Sequence, residues 1–100
     1  MPISFEALWN KCEELHKDVV SQESGSGIID ELSLKINLYK ALDQKEIPEK
    51  ERETIKSRTM GEILLTLTKL SMKDNINVYE ALSIAMQYRS IETYSKKYST

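Results

Sequence analysis

The stretch from Arg58 to Leu82, RTMGEILLTLTKLSMKDNINVYEAL, constrains the fold more than any other part of this chain. Met60, Ile63, Leu64, Leu67 and Leu70 recur at three- and four-residue steps, the period of one buried helix face. Asp74-Asn75 breaks that pattern. Asn77, with Glu80 three residues later, then opens a second helix, because an Asn side chain caps the free amides of a first turn. A helix, a short polar turn and another helix are thus written into one stretch, with a single acid, Glu62, in the first helix.

The rest of the chain extends the same all-α pattern over residues 1–100 as one domain, with helices expected over about 4–20, 28–43, 49–73 and 77–97. Ser4 caps the first helix, and Phe5, Leu8, Trp9, Cys12, Leu15 and Val19 form its apolar stripe. The polar, glycine-containing segment from Ser21 to Gly27 predicts a loop. From Ile28 to Leu42 the apolar residues cover more than one stripe, as in a helix buried on two sides. Pro48 suits the first turn of a third helix, and the charged run after it reads as that helix's solvated face. The fourth helix carries two stripes, one with Val78, Ala81, Leu82, Ala85 and Met86, the other with Ile84, Tyr88, Ile91, Tyr94 and Tyr98. Two-striped second and fourth helices predict association into a homodimer or higher homo-oligomer.

Composition removes several function classes. Lys and Arg number 14 against 16 Asp and Glu, and the basic residues are scattered among acids, so a nucleic-acid partner is not expected. No apolar run reaches the length of a membrane span, and no signal-peptide pattern opens the chain, so no membrane partner is expected either. A single cysteine, Cys12, has no partner for an intrachain disulfide, which fits a reducing cytoplasm. His16, the one histidine, has no second ligand or nucleophile placed to work with it and reads as a boundary residue. Trp9 and Tyr88 sit at helical spacing and are expected to pack.

The order of helices, the Gly/Ser segment after the first and the Asn75-Ile76-Asn77-Val78-Tyr79-Glu80-Ala81 turn resemble the MazG-type nucleotide pyrophosphohydrolases. The resemblance runs from about Gly27 to Tyr94. In that family the second helix carries EExxE and the third EExxD. Here Asp30-Glu31-Leu32-Ser33-Leu34 and Arg58-Thr59-Met60-Gly61-Glu62 stand in those places. The resemblance implies a four-helix, dimeric MazG-like bundle that hydrolyses a nucleoside triphosphate to the monophosphate and pyrophosphate. It also implies Mg2+ held by Glu31 and Glu62, since magnesium takes hard oxygen ligands and usually one or two carboxylates. No separate catalytic residue is assigned; the basic residue and the Asn that the family places in its fourth helix fall here at Ala85 and Arg89, and Arg89 is the substitute cation for phosphate.

The chain departs from the family at two ligand positions, where it has Leu34 and Thr59, and Glu62 replaces an Asp. A rival expectation therefore stands beside the hydrolase: a non-catalytic dimerisation or protein-interaction module on the same fold. Read from the residues alone, Glu31 is also placed to pair with Lys35 one turn on, as an ordinary surface acid would.

Overall fold

A computed structural model of the chain describes residues 3–98, with side-chain surroundings given through Ile91. It is helical, without a strand among the described residues, and runs α1 (Phe5–Val20), α2 (Gly25–Ala41), a short 3-10 turn (Leu42–Gln44), α3 (Glu49–Lys73) and α4 (Val78–Tyr98). No helix among these residues is long and apolar enough to cross a membrane. The stripe residues Tyr94 and Tyr98 lie outside the described side chains.

The helix ends follow from local chemistry. Ser4 Oγ accepts from the Ala7 amide at 3.1 Å and caps α1. Ser24 does the same for α2, accepting from the Gly27 amide at 3.0 Å. The expected loop over 21–27 is shorter for that reason: the cap lets Gly25, Ser26 and Gly27 form the first turn. Glycine suits position 27, where a Cβ would stand 2.9 Å from the capping hydroxyl.

The turn after α3 is a Schellman motif. Asn75 adopts φ 54°, the Asn75 amide donates to Met72 O at 3.2 Å, and the Ile76 amide donates to Ser71 O at 2.8 Å. Asn77 Oδ1 then accepts from the Glu80 amide at 3.0 Å and starts α4. Both ends of the turn thus match the sequence expectation.

Burial departs from the expectation more than the helix limits do. α3 packs against α2 and α1, and the buried apolar side chains are Trp9, Val20, Ile28 and Leu42. Trp9 packs as expected. The buried residues of α3 are Thr66, Thr68 and Lys69, whereas Met60 and Leu64, expected on its core face, are exposed. The buried threonine hydroxyls are satisfied by back-bonding to Glu62 O and Leu64 O one turn earlier on α3.

α4 has no extensive packing against another helix among the described residues. Its first turn, at Val78 and Tyr79, flanks a cleft with Glu6, Trp9, Asn10 and Glu13 of α1. Beyond it Leu82, Ile84, Met86, Tyr88 and Ile91 all face solvent, so Tyr88 is not a packed residue within one chain. The outer side of α2, with Ile29, Leu34, Ile36 and Leu38, is exposed as well.

Candidate functional site

The acids singled out from the sequence meet at the α2–α3 contact. Glu31 points from α2 and Glu62 from α3, and a single ammonium, Lys35 Nζ, holds both: it lies 3.9 Å from Glu31 Oε1 and 3.4 Å from Glu62 Oε2. Lys35 is positioned one turn after Glu31 on the same helix face, and its Nζ also donates to Thr66 Oγ1 at 2.7 Å and to Glu62 O at 3.4 Å. The expected Glu31–Lys35 pairing is therefore present, within a larger cluster.

A second ammonium completes that cluster. Lys69 Nζ lies 2.9 Å from Glu31 Oε2 and bonds both oxygens of Glu23, at 3.2 and 3.1 Å. Its side chain is only 10% exposed. Glu31 Oε2 is closed off from solvent and its approach to Lys69 is off the line of a good hydrogen bond, so this contact is an ion pair. Three carboxylates and two ammonium groups thus alternate in one chain, Glu23–Lys69–Glu31–Lys35–Glu62, joining the segment before α2 to α2 and α3.

The electrostatics follow from that alternation. Lys69 beside Glu31 holds the Glu31 carboxyl below the usual glutamate range, against the opposing pull of burial, and Lys35 adds to the effect. Burial disfavours the Lys69 charge, but Glu31 and Glu23 outweigh it and raise the lysine pKa above its ordinary value.

This donor set does not fit magnesium. A cation shared by Glu31 and Glu62 would take the place where Lys35 Nζ sits, with Lys69 on the other oxygen of Glu31. With an ammonium about 4 Å away, a divalent ion would meet a repulsion of about 8 kcal/mol at an effective dielectric of about 20. Among the described residues no three His, Cys, Asp or Glu side chains come together as a metal-holding group. Leu34 and Asp30 are exposed, and the Thr59 hydroxyl is turned to Ile55 O at 2.8 Å.

The other sequence candidates lie elsewhere. Arg89 is exposed on α4, and none of the close contacts of the cluster involves it. His16 Nδ1 lies 2.9 Å from Cys12 O, one turn back on α1, a local helix contact, and Cys12 is half-buried.

Sequence reasoning missed Glu23, Thr66 and Lys69. One signal was available: Lys69 sits between Leu67 and Leu70 on α3, a charge among apolar residues that calls for a partner. Its partner Glu23, forty-six positions away, could not be read from spacing. Comparison with family models, with curated proteins and with solved structures finds no match for the chain.

Proposed function

We propose that this chain is a non-catalytic helical dimerisation and protein-interaction module on a MazG-like fold. The unpartnered apolar surface carries the reading. The chain exposes 8220 Å2, whereas a compact monomer of 11.5 kDa exposes about 5,800 Å2 by the surface-to-mass scaling. The excess of about 2,400 Å2 per chain is what a large obligate interface covers, not a standard transient one. The radius of gyration, 17.1 Å, exceeds the roughly 13 Å of a compact chain of this length for the same reason. Leu82, Met86 and Ile91 of α4 and the outer side of α2 supply the apolar residues such an interface needs.

Sedimentation velocity on the full chain tests this. The expected result is a dimer or higher homo-oligomer, converted to a smaller species by Leu82→Glu with Met86→Glu. A folded, monodisperse monomer across the micromolar range would overturn the reading.

A second reading rests on Glu31 and Glu62 meeting across the α2–α3 contact, and stands against the lysines between them: a MazG-like nucleoside triphosphate pyrophosphohydrolase with weak activity, using Glu31 and Glu62 on Mg2+ and Arg89 on phosphate. Lys35 and Lys69 would have to leave the cluster for it to work. Magnesium-dependent pyrophosphate release from a panel of nucleoside triphosphates, abolished by Glu62→Gln, would support it. The absence of both turnover and a nucleotide-induced rise in Tm would eliminate it.

A further inference from the structure

We infer that Lys35 and Lys69 are built-in cations of the α2–α3 acid cluster, filling the positions a divalent metal would need and making the cluster metal-independent. Lys35 Nζ lies between Glu31 and Glu62, and Lys69 Nζ lies between Glu31 and Glu23, each within 4 Å of its carboxylates. Each ammonium is a compact monocation with three donors, and Lys35 directs them at Thr66 Oγ1 and at the side chain and carbonyl of Glu62. Both side chains are largely covered, at 21% and 10% exposed, so their charges are screened less than surface lysines would be. The arrangement ties three separate segments by ion pairs that need no metal and no particular metal concentration.

The structure also says what removing the ammonium groups would do. Two carboxylate pairs, Glu31 with Glu62 and Glu31 with Glu23, would each be left without countercharge, and a pair of carboxylates is the hard-oxygen set that Mg2+ or Mn2+ takes with water completing its shell. The lysines are therefore what keeps metal out, and their loss creates a site.

Mn2+ alone is the probe, followed by electron paramagnetic resonance on the full chain. The intact protein is expected to show no saturable Mn2+ binding up to millimolar concentration. Its Lys69 ammonium resonance, slowed in exchange by burial, should not move on Mg2+ addition. Lys35→Met with Lys69→Met should gain saturable Mn2+ binding, at least about tenfold tighter than the intact chain. Adding Glu31→Gln to that variant should remove the gain.

Saturable Mn2+ binding by the intact protein that Glu31→Gln abolishes would overturn the inference, and this arm needs no lysine variant to fold. A folded double lysine variant that gains no Mn2+ affinity would overturn it equally. Oligomer size is read separately, so the outcome here leaves the interaction-module reading standing or falling on its own test.

Discussion

Thr66 and Thr68 offer a controlled test of the α2–α3 cluster. Both are fully buried on α3, and both hydroxyls donate to the carbonyl four residues back, at 3.1 Å for Thr66 and 2.9 Å for Thr68. Thr66 alone belongs to the cluster: its Oγ1 also accepts from Lys35 Nζ at 2.7 Å and adds weakly to the lowering of the Glu31 carboxyl. Threonine to valine removes the hydroxyl and keeps the shape. At position 68 it leaves Leu64 O with its ordinary helical bond, so stability should change by no more than about 0.5 kcal/mol. At position 66 it also removes a hydrogen bond from a charged donor, which contributes about 1.5–3 kcal/mol. Lys35 keeps its ion pairs to Glu62 and Glu31 and remains 21% exposed, so water softens the loss toward about 1.5 kcal/mol. For a domain of this size that separates the two variants by roughly 6–12 °C in Tm. Thermal melts by circular dichroism, at one fixed protein concentration because association raises apparent stability, give the comparison. In a Lys35→Met background the two threonine variants should melt together. Equal Tm values in the native background would refute the assignment of Lys35 to Thr66.

Two further outcomes follow from local geometry. Asn75→Gly should stabilise the chain by about 0.5–1 kcal/mol, because φ 54° is strained for a side-chain-bearing residue and free for glycine; chemical denaturation would show it, and a destabilised variant would contradict the Schellman assignment. Acid should weaken the fold through Glu31. Its folded pKa is lowered by Lys69, so its contribution is complete above the ordinary value of 4.5 and is lost as pH falls through the lower folded value. Because the Glu31 side chain is 37% exposed, the effect is a partial one; Glu31→Gln should flatten the stability profile below pH 4.5, and an unchanged acid limb would count against the ion pair.

Helix limits were legible because they depend on neighbours in the chain. Ser4, Asn77 and the Asp74-Asn75 stop each act within four residues, and each does in the structure what its residue type and spacing imply. Ser24 was legible in the same way but was masked by the glycines after it, which usually mark a loop and here form a capped first turn.

The acid pair was half legible. The family resemblance, not spacing, set Glu31 and Glu62 on two facing helices, and the structure brings them to one nitrogen. What neutralises them was not readable, because Lys69 meets Glu23 and Glu31 only after α3 has docked on α2 and the segment before it. Sequence periodicity likewise marks Met60, Leu64, Leu82 and Tyr88 as apolar-face residues, yet all four are exposed in the single chain. Periodicity reports which side of a helix is apolar and says nothing about what covers it.

The amino-acid sequence by itself determined four helices, their caps and their stops, since backbone geometry at a helix end is settled by the residues on either side of it. Tertiary structure alone decided which groups are buried and which charges meet. Docking α3 against α1 and α2 put two threonines and a lysine in the interior and left Leu82, Ile84, Met86, Tyr88 and Ile91 of α4 uncovered. The physical reason is range: a cap or a turn acts over one helical turn, whereas the charge cluster joins residues as much as forty-six positions apart.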